Sequence, residues 1–268
     1  MAVGGRSTSR GALTGSAFAL VLVRFAVVGC SPFGMNEETS SSDPSDGGAV
    51  GSEASTNDGE GPPARPCDAS LCTDFDSPET NSPPFGWDRI GDDAGAGAEF
   101  VLVPDGRSAP NALRLSVDVE AGTSLYLEKD LAAPRAVTVS VAIRLDAVAD
   151  EADRSVRVVE LLCGKESLTR LKINTSMVPY LDTATANLGM TQARLTARTW
   201  SSFQLQATGI SDADGGVVVA RHQETGDSVD APMAPCAVDV RLRLGNIVAN
   251  SGSGVYVVAI DDVIVDWR

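Results

Sequence analysis

The stretch Ala136-Val137-Thr138-Val139-Ser140-Val141-Ala142-Ile143-Arg144-Leu145-Asp146 decides the fold. Val137, Val139, Val141, Ile143 and Leu145 fall on one side of an extended chain, with Thr138, Ser140, Arg144 and Asp146 on the other. Apolar, mostly β-branched residues at every second position describe an antiparallel strand with one buried face. The same period continues on either side of this stretch. Leu113, Leu115, Val117 and Val119 alternate with Arg114, Ser116 and Asp118, and Phe203 and Leu205 alternate with Gln204 and Gln206. Val238, Val240, Leu242 and Leu244 alternate with Asp239, Arg241 and Arg243.

Further strands are expected at Glu99–Val103, Ser124–Leu131, Val156–Cys163, Leu168–Asn174, Val217–His222 and Val255–Trp267. Turn residues separate them: Pro104-Asp105-Gly106, Asp146 to Arg154, Asp212 to Gly216, and Asn250 to Gly254. At least ten short strands in about 200 residues, with no helical pattern, predict an all-β antiparallel β-sandwich or jelly roll spanning 67–268.

The first thirty residues have a different logic. Arg6 and Arg10 precede an apolar run from Ala12 to Val23, and the segment ends Val27-Val28-Gly29-Cys30. A basic start, an apolar middle and small residues before a cut mark a secretory signal over 1–29. The quartet resembles the lipobox of bacterial lipoproteins, which implies that the thiol of Cys30 carries lipid and tethers the chain to a membrane. By that family's sorting rule, Ser31 after the cysteine points to the outer membrane. Arg24 departs from the pattern by interrupting the apolar run. It also counts against the alternative, an uncleaved membrane span, where a central arginine costs about 2.5–3.5 kcal/mol.

Between Ser31 and Arg65 the chain holds seven acids, one base and few apolar side chains. Such a composition cannot offset its chain entropy by burial, so 30–66 is expected to be a disordered tether. The whole chain has 36 acids against 21 bases, a net charge of −15. Loss of Arg6, Arg10 and Arg24 with the leader would take this to about −18. A surface this acidic repels phosphate backbones, which excludes nucleic acid as a partner and leaves glycans, cations and cationic proteins.

With Cys30 set aside, Cys67, Cys72, Cys163 and Cys236 remain. Four cysteines in an exported domain predict two disulfides, with Cys67–Cys72 and Cys163–Cys236 favoured among three pairings. A four-cysteine zinc site would want a second Cys-x-x-Cys pair, which is absent.

The domain opens Cys72-Thr73-Asp74-Phe75-Asp76-Ser77, with Gly86-Trp87 soon after, and closes Val258-Ala259-Ile260-Asp261-Asp262-Val263-Ile264-Val265. In between come Ser108-Ala109-Pro110-Asn111-Ala112-Leu113-Arg114-Leu115 and, further on, Trp200. In this order the features resemble the concanavalin A-like (laminin G-like) jelly rolls of secreted bacterial proteins; a galactose-binding-like jelly roll is the alternative. The resemblance implies a structural Ca²⁺ between opening and closing strands, with Asp74, Asp76 and Asp261 as ligands and Asp262 in reserve. The opposing view treats these acids as solvated charges at strand ends. The run Asp212-Ala213-Asp214-Gly215-Gly216 reads as a hairpin turn rather than a calcium loop, because strands flank it.

Catalytic signals are sparse. His222 is the single histidine, there is no Gly-x-Ser-x-Gly elbow, and Glu151-Ala152-Asp153 does not continue into the carboxylate motif of laminarinase-type jelly rolls. Alginate-lyase-type jelly rolls set His, Gln, Arg and Tyr on concave strands; here Arg170, Lys172 and Tyr180 are the residues that fit such a face. Trp200 is expected in the core. The resulting expectation is a non-catalytic, non-enzymatic binding module for carbohydrate or extracellular polymer at the cell envelope. The alternatives are a structural or adhesion protein making protein contacts, and a polysaccharide lyase or glycoside hydrolase.

Overall fold

A computed structural model describes residues 69–76, 86–92, 98–108, 110–118, 124–147, 155–248 and 254–268. The leader, Cys30, the tether, Cys67 and Glu151-Ala152-Asp153 lie outside the described residues. The described residues form strands, turns and loops and contain no helix.

Fifteen strands run in chain order: β1 Leu71–Thr73, β2 Arg89–Asp92, β3 Ala98–Val103, β4 Ala112–Asp118, β5 Ser124–Leu131, β6 Ala136–Ala147, β7 Ser155–Cys163, β8 Glu166–Asn174, β9 Pro179–Thr183, β10 Asn187–Gly189, β11 Ser201–Thr208, β12 Gly216–His222, β13 Ser228–Met233, β14 Val240–Val248 and β15 Val255–Trp267. They make two antiparallel sheets. The eight-stranded sheet has the order β13-β12-β11-β6-β15-β4-β3, with β1 also paired to β15. The seven-stranded sheet has the order β10-β9-β8-β7-β14-β5-β2. The protein is an antiparallel β-sandwich of the jelly-roll class.

The period-two pattern sets which side chains face inward. Val137, Val139, Val141, Ile143 and Leu145 of β6 are buried. They pack in one cluster with Leu113, Leu115 and Val117 of β4, Phe203 and Leu205 of β11, and Leu242 and Leu244 of β14. Core atoms of this kind contribute about 25 cal/mol per Å² removed from water, so register errors that turn these faces outward are strongly disfavoured.

The opening segment sits beside the closing strand: Leu71, Cys72 and Thr73 pair with Val265, Ile264 and Val263. The strand therefore ends before Asp74-Phe75-Asp76, and Phe75 turns into the core at φ 59°. Cys163, at the end of β7, is disulfide-bonded to Cys236 in the segment joining β13 to β14. Asp212–Gly216 forms the β11–β12 turn, where Gly215 donates to the carbonyl of Asp212.

Candidate functional site

Each sheet turns one face to the core, so its other face is free to carry chemistry. On the seven-stranded sheet that outward face is built from the even partners of the core residues. Cross-strand registers place Arg89 opposite Glu128, Glu128 opposite Arg243, Arg243 opposite Glu160, Glu160 opposite Arg170, and Arg170 opposite Asp182. Charge thus alternates along one row across β2, β5, β14, β7, β8 and β9. Successive ion pairs measure 2.7 Å for Arg89–Glu128, 2.6 Å for Glu128–Arg243 and 4.0 Å for Arg243–Glu160. Glu160–Arg170 follows at 2.9 Å and Arg170–Asp182 at 3.1 Å.

The two glutamates are sheltered although they point outward, with side chains 5% and 3% exposed. Glu128 is ringed by Arg89, Arg241 (3.6 Å) and Arg243; Glu160 by Arg157 (3.5 Å), Arg170 and Arg243. Burial pushes the Glu128 carboxyl up, but hydrogen bonds from Arg243 and Arg89 outweigh it and hold the group below the usual carboxylate range. A carboxylate held ionised in this way is a poor general acid, which argues against hydrolysis by a Glu128/Glu160 pair.

A second row runs one step along the strands. Gly91, Tyr126 and Gly245 align on β2, β5 and β14; beyond a bulge in the β14–β7 pairing, where Arg157 faces Ile247, Arg157, Lys172, Tyr180 and Gly189 align on β7, β8, β9 and β10. Gly91 is required because any Cβ there would collide with the Tyr126 ring. Tyr126 is buried beneath the Arg243 guanidinium, 4.3 Å from its centroid. Tyr180 is half-buried and leans on Gly189, where a Cβ would sit 3.0 Å from the ring. Its hydroxyl accepts a hydrogen bond from Asn174 Nδ2 at 3.2 Å.

Arg170, Lys172 and Tyr180 therefore share one outward face, in register on adjacent strands, and Lys172 is 3.0 Å from Asp182. Arg157 stands out among the arginines. Burial first, and Arg170 beside it second, push its pKa down, whereas Arg170 and Arg243 are raised by their glutamate hydrogen bonds against the effect of burial. Its Nε is buried without a partner.

Other expected residues are placed elsewhere. His222 lies on the eight-stranded sheet, buried against Phe203 with ring centroids 5.0 Å apart, its Nδ1 2.9 Å from Thr225 Oγ1. The face carrying Tyr180 thus has no histidine. Trp200 precedes β11 and is half-buried with Arg144 over its ring at 4.9 Å, which corrects the expectation of a core tryptophan.

Asp74, Asp76 and Asp261 are turned to protein donors. The Asp76 amide donates to Asp74 (3.2 Å), and the Asn111 amide donates to Asp76 (3.0 Å). The fully buried Asp261 accepts from the amides of Ser108 (3.0 Å) and Asp262 (2.8 Å), while burial pushes its pKa up to about 6. Among the described residues no three acidic, histidine or cysteine side chains gather as metal ligands.

Arg157, Glu160, Glu128, Arg243 and Tyr126 escaped the sequence reading. Their signal was present in the charged outward positions of β5, β7, β8 and β14. What periodicity does not give is the strand order that sets residues far apart in sequence, such as Glu128 and Arg243, side by side.

No protein-family model and no curated protein matches this sequence. Solved structures similar to this chain include the alginate lyase AlgAT5 of polysaccharide lyase family 7, with a TM-score of 0.48 and 11% identity over 63% of this chain and 82% of that one. The cellulose-induced protein Cip1 has a TM-score of 0.48 and 13% identity over 66% and 90% of the two chains. A sialidase has a TM-score of 0.49 and 13% identity over 74% of this chain and 18% of its own. At these identities the likeness is one of fold. Another similar structure is a family 7 alginate lyase in complex with its substrate. The expectation of a non-catalytic, non-enzymatic module is set aside, since the structures similar to this chain include alginate lyases in complex with substrate and with product.

Proposed function

We propose that this chain cleaves a carboxylate-bearing polysaccharide by β-elimination on the outward face of its seven-stranded sheet. The observation that carries this is the gathering of five arginines and Lys172 around two buried glutamates and Tyr180, in a chain of net charge −15. The cations outnumber Glu128, Glu160, Asp130 and Asp182 on that face, so an acidic polymer is drawn to the cationic face of an otherwise repelling surface.

Elimination from a uronate needs the sugar carboxylate neutralised, so that the proton on the adjacent carbon can leave. Arg157, Lys172 and Asn174 supply that positive and hydrogen-bonding environment. Tyr180 supplies the proton chemistry: its phenol oxygen takes the C5 proton and gives a proton to the glycosidic oxygen. The C4–O bond breaks with its electron pair on that oxygen, and a C4–C5 double bond forms. One group serving as base and then acid needs no histidine on the face.

The signal at 1–29, lipid on Cys30 and the tether at 30–66 belong to the same proposal, as the means of displaying this face from the envelope. Blocking the lipoprotein signal peptidase is expected to leave the precursor uncut; mature protein appearing regardless overturns the anchor. The activity is tested by incubating the protein with polymannuronate, polyguluronate and polygalacturonate and following the ultraviolet absorbance of unsaturated product. A rise that Tyr180→Phe abolishes is the expected result. No product from any of the three, with no binding, overturns the reading.

A further inference from the structure

The outward face of the seven-stranded sheet does not end at the charged row. One step further along the strands, Asp130 of β5 lies opposite Arg241 of β14, beside the β7–β8 turn at Gly164 and Lys165. Here the surface carries a shallow, open depression of about 440 Å³ lined by Asp130, Gly164, Lys165, Val238, Asp239 and Arg241. Its polar groups are unequally committed. Asp130 accepts from Arg89 at 2.6 Å, Asp239 accepts the Ala133 amide at 3.1 Å, and Arg241 donates to the Gly164 carbonyl while facing Glu128. Lys165 is exposed and takes part in none of these contacts, and Val238 beside it is 52% exposed. The depression thus offers one uncommitted ammonium and an apolar wall, the composition suited to a sugar ring bearing a carboxylate.

We infer that this depression is a distal binding subsite for an acidic sugar unit of the same polymer chain that reacts at Tyr180. The inference rests on the proposed function. Three strand steps separate β9 from β14, and five residues separate Arg157, in the row of Tyr180, from Leu162, opposite Arg241. At ordinary strand spacings that puts the depression about 20 Å from Tyr180, several sugar rings away. A substrate crossing the sheet obliquely passes over Arg170, Glu160 and Arg243 before it reaches Lys165. Short chains held at Tyr180 do not reach it, and long ones do.

The test is a calorimetric binding series on the full chain with oligouronates from dimer to octamer, repeated with Lys165→Ala and Lys165→Arg. Lys165 sits in an exposed turn, so both variants leave the core untouched. Affinity of the parent is expected to climb with length and then level off. Lys165→Ala is expected to weaken the longest oligomers about fivefold, the scale of an exposed ion pair, while leaving the dimer unchanged. Lys165→Arg retains the long-chain affinity. Binding that is independent of length, or an equal effect of Lys165→Ala at every length, overturns the subsite while leaving the proposed function standing. Silence across the whole series, in parent and variants alike, overturns the proposed function and the subsite with it.

Discussion

The two outward faces of this sandwich are made by the same backbone device and distribute charge differently. On the eight-stranded sheet the β6–β11 ladder presents Thr138, Ser140, Gln204, Gln206 and Thr208, and charge is confined to separate pairs, Arg144 with Asp146 (2.7 Å) and Arg114 with Glu99 (3.8 Å). Val217 of β12 and Ile264 of β15 are exposed beside them. On the seven-stranded sheet the corresponding positions hold arginine, glutamate, lysine and tyrosine, and the carboxylates among them are nearly closed off from water. A half-buried antiparallel sheet needs only small or neutral residues on its wet side, as the β6–β11 ladder shows. Sheltering ions is expensive, and ion pairs seldom repay the cost better than apolar packing would. A continuous row of sheltered charge is therefore costlier for folding alone than a neutral ladder.

That contrast breaks first at Glu128. Glu128→Gln removes the carboxylate shared by Arg89, Arg241 and Arg243 and leaves three guanidinium groups crowded without it. The expected cost is about 3–5 kcal/mol, the range for breaking a buried ion pair from one side. Denaturant titration of variant against parent measures it. A loss below about 1 kcal/mol would place this network with ordinary surface salt bridges.

Tyr180→Phe sharpens the contrast from the functional side. It removes one hydroxyl, and with it the hydrogen bond from Asn174, while keeping the ring packed on Gly189. Turnover of a polyuronate is expected to fall about 10²–10⁴-fold, the usual yield of a positioned acid or base, with KM little changed. A fall in affinity at constant turnover would instead make Tyr180 a binding platform.

The sequence reads as two problems of unequal difficulty. The alternation in β6, β4, β11 and β14 is a local property, so the sheets and their buried faces were legible residue by residue. β9 was visible only as a strand-like stretch around Tyr180, and β2, β10 and β13 left no clear pattern. β10 is three residues long, and β13 contains Pro232 at the edge of its sheet, so neither has room for a clear period. Arg170, Lys172 and Tyr180 could be grouped because a short turn joins β8 to β9. Glu128 and Arg243 are 115 residues apart, and Glu160 meets Arg243 only because β14 inserts between β7 and β5. Strand order is a property of the whole sandwich, and no window of sequence carries it.

The two faces also titrate with opposite sign. The folded pKa of Glu128 is depressed, so its stabilisation is complete above the unfolded carboxylate range near 4 and is lost as pH falls below it. Asp261, beneath the β3–β4 loop on the other sheet, is raised to about 6 by burial. Its ionised form opposes folding at neutral pH. As pH falls through about 6 the native state takes up a proton before the unfolded chain does, and stability rises. Unfolding free energies at pH 7 and pH 5 are expected to show a gain on acidification that Asp261→Asn abolishes, roughly 1–3 kcal/mol on the linkage relation. Equal values for parent and variant at both pH values would mean that Asp261 is not protonated in that window.

The smallest expected effect belongs to the neutral ladder between β6 and β11. Gln206→Ala on β11 alters an exposed side chain directly opposite Thr138 and Val219, neither of them charged. The change is expected within about 0.5 kcal/mol of the parent, with turnover and oligouronate affinity unaltered. Because β11 and β8 belong to different sheets, this variant controls for any general consequence of shortening an outward side chain on a strand. If Gln206→Ala reduced polymer binding as much as the Lys172→Ala change on β8, the polymer would be held by both faces. The asymmetry of charge between the sheets would then have no bearing on function. If it leaves binding intact, what distinguishes the faces is the alternating row from Arg89 to Asp182 and the tyrosine row beside it, since the surrounding framework is otherwise the same antiparallel ladder.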